Sequence, residues 1–178
     1  ERISLLVIIT FGEMIMGLAD FFTLEHFSIH SILYFIIMIN LFMNYFGQFD
    51  HAIDEEGENK GIFLIYSHYP IFIGLIMVTV SMSFLVNPEA HHLFATSFFY
   101  AGIGLFQAAV LSNGRFNKSY LKYDKIYYGL QATFFLIGLL LSLLFSDNPT
   151  IVIAIATLMT LAMEIHFTYF YMTQTKKF

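Results

Sequence analysis

Apolar residues recur along the chain in six stretches, at about residues 3–22, 29–48, 62–86, 93–112, 127–146 and 150–171. Each is close to the roughly 20 residues with which a helix crosses the hydrocarbon core of a bilayer. The polar connections alternate in charge. Arg2, Lys60, then Arg115, Lys118, Lys122 and Lys125, and finally Lys176 and Lys177 lie on one side of the pattern. The connections 23–28, 87–92 and 147–149 on the other side hold no Lys or Arg. This predicts an all-α polytopic integral membrane protein, a bundle of about six transmembrane helices with both termini cytoplasmic by the positive-inside rule.

Pro70 lies about two turns into the third stretch. It cannot donate to the Tyr66 carbonyl, which predicts a helix that is kinked or partly unwound there. The segment SDNPT at 146–150 is turn chemistry and predicts a tight hairpin between the fifth and sixth helices. No internal repeat, linker or low-complexity tract interrupts the pattern, so residues 1–178 read as a single membrane domain. The chain opens on Glu1 and enters its first apolar stretch at once without a cleavable signal pattern, and so reads as part of a longer protein.

Composition narrows the chemistry. Hydrophobic residues make up 58% and charged residues 12%, outside the range of ordinary soluble domains. The net charge of −5 reflects mainly the loop carrying Asp50, Asp54, Glu55, Glu56 and Glu58 and assigns no basic partner. That loop lacks calcium-loop spacing and reads as solvated. The absence of Cys excludes disulfides, thiolate metal sites and a cysteine nucleophile. Trp is absent too, which leaves the interfacial aromatic role to tyrosines such as Tyr45, Tyr66, Tyr123, Tyr127, Tyr128, Tyr169 and Tyr171.

Candidate chemistry lies where polar groups are costly. An ionisable side chain inside a span costs roughly 2.5–3.5 kcal/mol on insertion scales, which makes it a functional candidate or a group held by a neighbouring helix. Glu13 lies about 15 Å from either end of the first stretch at the helical rise. Helical spacing puts Arg2, Leu6, Ile9, Glu13, Gly17 and Asp20 on one face, a polar stripe expected to point into the bundle. A second group lies some 5–15 Å inside the cytoplasmic ends of five helices: Asn40 and Asn44, His68, Gln107, Gln131, and Glu164 with His166. If these converge they form a cavity in which His and Glu relay protons; otherwise they bridge helices or snorkel. Glu164 and His166 are two residues apart and do not share a helix face.

His26 and His30 have i, i+4 spacing beside Glu25, a weak metal candidate because they straddle a loop and a helix start; His91 and His92 lie on the same side. The identity of any cofactor is left open by these residues. Segment 115–128 places Lys118, Lys122 and Lys125 on one helical face, which suits anionic lipid headgroups rather than nucleic acid. Arg2 is a candidate to pair with Asp50 at the cytoplasmic rim.

The segments ERISLLVIITFGE at 1–13, YFGQFD at 45–50 and YSHYPIFIGLI at 66–76 resemble recurring motifs of the bacterial low temperature requirement A (LtrA) proteins. The resemblance implies a larger polytopic protein of the bacterial inner membrane, with this chain as roughly its C-terminal half, and an oligomer is compatible with it. It highlights Glu1, Arg2, Gly12, Glu13, Asp50, His68 and Pro70; Ser4 stands where a Gly is common. The family is named for a phenotype of growth in the cold, so the resemblance implies no particular biochemical activity.

Three function classes follow. A membrane transport protein, as a proton-coupled secondary transporter of a small solute, would use Glu13, Asp20, His68, Glu164 and His166, supported by Arg2, Gly12, Gly17, Asn44, Asp50, Pro70, Gln107 and Gln131. A membrane-embedded redox or cofactor-binding enzyme would use His68 and His166 as acid–base groups or ligands, although no catalytic motif accompanies them. A structural or regulatory bundle would use the same residues as interhelical links.

Overall fold

Helix boundaries follow from local chemistry. Where a chain enters the bilayer the first amides of a helix need acceptors, and short polar side chains supply them. Asp124 accepts from Tyr127 N–H at 2.7 Å and Asn148 from Ile151 N–H at 3.3 Å, with Pro149 at the first helical position, where its missing N–H costs nothing. His91 caps the fourth helix through Nδ1, which accepts from Phe94 N–H at 3.4 Å.

The computed structural model describes residues 2–23, 27–54 and 61–176. These form six α-helices: α1 (Arg2–Leu18), α2 (Ile29–Phe46), α3 (Gly61–Val86), α4 (His92–Ser112), α5 (Lys125–Leu144) and α6 (Pro149–Thr175). A 3-10 turn (Ala19–Phe22) extends α1, and a π-helical segment (Gly47–Ala52) extends α2. Five of the helices, α2 to α6, are long and apolar enough to cross a membrane; α1 has a shorter apolar run, Leu5–Leu18. The six expected stretches are therefore six helices, and the 146–150 turn is the short α5–α6 connection.

Side-chain pairings define an up-and-down bundle. Phe11 of α1 meets Tyr45 of α2, and Phe21 meets Tyr34, so these helices are antiparallel. Tyr34 and Tyr45 of α2 bond to Met82 O and His68 of α3, again antiparallel. Tyr100 of α4 bonds Ser142 of α5, and Gln131 of α5 bonds Met163 O of α6. Helices α2 and α6 run parallel, with His30 joined to Thr150 at one end and Asn40 to Thr160 further along. Alternation of this kind gathers the basic connections at one end of the bundle.

The largest interface joins α3 and α4. Gly74 and Gly102 make it close: a Cβ on Gly74 would lie 2.8 Å from Gly102 O, and one on Gly102 would lie 3.0 Å from Gly74 O. Small residues at crossings let membrane helices gain dispersion contacts that lipid cannot supply better. Around this seam pack Ile71, Leu75, Val78, Phe99, Ile103 and Phe106, all fully or almost fully buried.

Two expectations are corrected by this packing. Helix α3 is continuous through Pro70, so of the kinked and partly unwound forms expected there the unwound one is set aside. In the preceding turns the Ser67 and His68 side chains both fold back onto Leu64 O, whereas the carbonyl that Pro70 leaves without an N–H is that of Tyr66. The segment 113–124 is not one helix presenting Lys118, Lys122 and Lys125 together. It forms 3-10 turns at Asn113–Phe116 and Ser119–Leu121, because its backbone is tied to the end of α2. Asp54 N–H donates to Phe116 O and Lys118 N–H to Ala52 O, both at 3.0 Å, around the Ile53–Asn117 bridge.

Substituting Gly74→Ala or Gly102→Ala is expected to destabilise the protein by roughly 1–3 kcal/mol through overpacking against backbone. Gly12→Ala, where a Cβ meets nothing within 4 Å, is expected to be neutral. Thermal unfolding of the three variants in one detergent checks the contrast.

Candidate functional site

Residues 40, 44 and 48 recur at the spacing of one helix face. On α2 this face carries Asn40, Asn44 and Gln48, each buried. Its partner is the parallel helix α6, which presents Thr160 and Glu164 at matching depth. Asn40 Nδ2 donates to Thr160 Oγ1 at 3.1 Å. Asn44 approaches the Glu164 carboxyl, whose Oε1 accepts from Thr168 Oγ1 at 3.1 Å and whose Oε2 has no hydrogen-bond partner. At the basic end, Gln48 Nε2 donates to Asn117 Oδ1 at 2.7 Å, and the Tyr123 hydroxyl donates to Gln48 Oε1. Burial pushes the Tyr123 phenol well above the usual tyrosine range, so it remains a donor at physiological pH. A polar ladder thus runs between α2 and α6, closed at the basic end by the α4–α5 connection.

Helix α4 joins the ladder at one level. Asn40, Asn44, Gln107 and Thr160, with Leu41, Ile103 and Met163, line a cavity with about 10 Å³ open to the centre of a water molecule. Asn44 Oδ1 and Gln107 Nε2 have no hydrogen-bond partner, although the two residues are only 5% and 6% exposed.

The other candidates form separate groups. His68 Nδ1 lies 2.5 Å from Leu64 O, and its Nε2 lies 3.0 Å from the Tyr45 hydroxyl. A carbonyl only accepts, so Nδ1 carries the proton and Nε2 accepts from the tyrosine. Phe49 and Phe72 enclose the ring, and His68 does not line the cavity. Gln131 Nε2 bonds both the Tyr127 hydroxyl and Met163 O at 3.2 Å. His166 faces α5, its ring stacked on Tyr127 with centroids 4.7 Å apart. Glu164 and His166 therefore point to different neighbours, as their spacing requires.

The stripe on α1 is oriented otherwise than expected. Val7, Phe11, Met14 and Leu18 are the buried face, whereas Leu6 and Ile9 are 49% and 59% exposed and Glu13 is exposed with them. The stripe interleaves Leu6 and Ile9 with its polar residues, and the wholly apolar face with Phe11, which packs edge-on to Phe42 at 5.2 Å, took the inward side. Gly12 is open on all sides, and Gly17 sits beside Thr79 of α3. The side chains of Arg2 and Asp20, and residues Glu1, Glu25, His26, Glu55, Glu56 and Glu58, lie outside the described residues, so the Arg2–Asp50 pair does too. Asp50 is exposed, 3.3 Å from the equally exposed His51. His30 bonds Thr150 at 2.8 Å, and among the described residues no group of three His, Asp or Glu side chains could hold a metal ion. Lys118 reaches His51 O at 3.0 Å, while Lys122 and Lys125 are exposed.

Sequence reasoning missed Gln48, Asn117, Tyr123 and Thr160. The i, i+4, i+8 amides of α2 were a signal for the first; nothing local marked the loop partners. The family model for the Bacterial low temperature requirement A protein (LtrA) matches residues 1–162 of the chain. The chain belongs to the LtrA family. No curated protein and no solved structure matches it. Family membership and the apolar helices together make this LtrA chain a multi-pass membrane protein whose surroundings are the lipid bilayer.

A double-mutant cycle on Asn40→Leu and Thr160→Val is expected to give a coupling energy of about 0.6–1.7 kcal/mol, the range for interhelical hydrogen bonds in membranes. Unfolding in mixed micelles reads it, and additive effects would show that the bond contributes nothing.

Proposed function

We propose that this LtrA chain is the core of a transport protein, a proton-coupled carrier of a small solute whose binding point is the α2–α4–α6 cavity. One observation supports the reading most: buried polar side chains from three helices, Asn40 and Asn44, Gln107, and Thr160, gather around one cavity, and Asn44 also approaches the one carboxyl in the ladder, Glu164. In this reading Glu164 carries the proton, Asn44 connects it to the solute, and the Gln48–Asn117–Tyr123 cluster closes the basic, cytoplasmic end. Lys122 and Lys125 contact anionic headgroups there. His68, Gln131 and His166 hold helices together, and Glu13, outside the bundle, is not part of the path.

Proton flux into proteoliposomes of the full-length protein, followed with a trapped pH dye across a panel of solutes, tests this. Solute-dependent flux that falls at least about tenfold in Glu164→Gln is expected, since an amide cannot carry a transferable proton. Flux indifferent to Glu164→Gln would remove the carboxyl from the mechanism, and no flux for any solute would reject the carrier.

A further inference from the structure

Glu13 lies at a depth where the neighbouring surface of the bundle is hydrocarbon. Gly17 sits against α3, where an added Cβ would meet the Thr79 methyl at 3.2 Å. Helices α1 and α3 run parallel, so Glu13, one turn or about 6 Å toward the basic end, is level with Leu75. That is the middle of α3 (Gly61–Val86). The Glu13 side chain is exposed, and among the described residues none donates to its carboxyl. At similar depth the exposed Ile73 and Ile76 of α3 and Leu136, Ile137 and Leu140 of α5 present only apolar groups. An ionisable side chain inside a membrane faces protein and pairs with another polar group, because lipid offers it no partner. The outward face of α1 is therefore a contact surface rather than a lipid surface.

The neighbours of Glu13 define the partner. Leu6, Ile9, Glu13 and Met16 follow one another at steps of three and four residues along the exposed side of α1. This is the spacing of a seam between two parallel helices, in which a single polar residue fixes register and a two-stranded state. Two copies inserted in the same sense, related by a two-fold axis along the bilayer normal, set each seam residue against its own counterpart at the same depth. The carboxyl then meets a carboxyl, and one that holds a proton donates its O–H to an oxygen of the other. A head-to-tail contact with another face of the chain offers less. At that depth α5 presents Thr133 beside its apolar residues, and the Thr133 hydroxyl is already given to Gly129 O at 2.8 Å. We infer that the exposed face of α1 is a homodimer seam: it packs in parallel on α1 of a second copy, with Leu6, Ile9 and Met16 in apolar contact and the two Glu13 carboxyls bonded to each other.

The chain holds no Cys, so single introduced cysteines report proximity directly. In membranes containing the full-length protein, with any cysteine elsewhere in it replaced by Ser, copper-catalysed oxidation is expected to give disulfide-linked dimers for Leu6→Cys, Ile9→Cys and Met16→Cys. None is expected for Ile8→Cys or Ile15→Cys, which are also exposed but on the side of α1 turned away from the seam. Subunit counting by single-molecule photobleaching in liposomes, over a range of dilution in lipid, reads the dimer itself. Its dissociation constant is expected to rise roughly tenfold in Glu13→Leu and to stay near the wild-type value in Glu13→Gln, whose amide still donates and accepts. A wild-type monomer at every dilution, or disulfides at Ile8 and Ile15 in place of the seam positions, overturns the seam and assigns the face to a different helix with a donor at that depth. A dimer indifferent to Glu13→Leu overturns the carboxyl pairing. The cysteine scan keeps Glu13 in place, so the test does not depend on whether its variants fold.

Discussion

Hydrocarbon offers no hydrogen bonds, and every other feature of this bundle answers to that constraint. Backbone groups are met inside helices, so only side chains bring polar atoms into the interior, and each such atom needs a partner on a neighbouring helix. Helix α2 is where this demand concentrates. Its Tyr34 and Tyr45 reach α3, its Asn40 reaches α6, and its Gln48 reaches the α4–α5 connection. Apolar packing alone would not select these pairings, since lipid tails contact Leu and Ile as well as another helix does. Directional bonds select them, and the Gly74–Gly102 crossing lets α3 and α4 approach closely beside them.

The same constraint separates structural polar residues from candidates for function. His68 has a donor role and an acceptor role filled, and aromatic rings surround it. It fits the description of a linking residue. Unpaired buried atoms remain on Asn44, Gln107 and Glu164, and on Thr96, Gln131 and His166 as well, but of these residues Asn44 and Gln107 alone line the cavity. The basic end is closed differently, by a cluster in which Gln48, Asn117 and Tyr123 satisfy one another. The π-helical turn at Gly47–Ala52 places Gln48 for this purpose, and Gly47 admits the Phe167 ring of α6 where a Cβ would collide at 2.2 Å.

Helix α1 shows how far periodicity can mislead. Glu13 marks a polar stripe, and a carboxyl in lipid costs enough that an inward orientation is the natural expectation. Yet the opposite face carries Phe11 and Met14, which fill space against α2 and α3 that Leu6 and Ile9 do not reach. When both faces carry apolar residues, volume and shape decide, and these are properties of the neighbours rather than of the helix. Pro70 gives a parallel lesson: its missing donor was legible, but the continuity of the helix through it was not.

Six apolar stretches, their lengths, the one-sided Lys and Arg, the turn at 146–150 and the family motifs were all properties of the sequence itself. Length and hydropathy are local quantities, and a bilayer reads them directly, so the helices and their alternation needed no further information. The depth of the polar layer was legible for the same reason, because depth is a count of residues along a helix. Which of those residues meet was not. Asn44 and Gln107 share a cavity while His68 and His166 turn to other neighbours, since rotation about a helix axis is settled by packing among all six helices together. The partners Asn117 and Tyr123 lie some 70 residues from Gln48, at sequence separations of 69 and 75, and only the tertiary fold brings them to it.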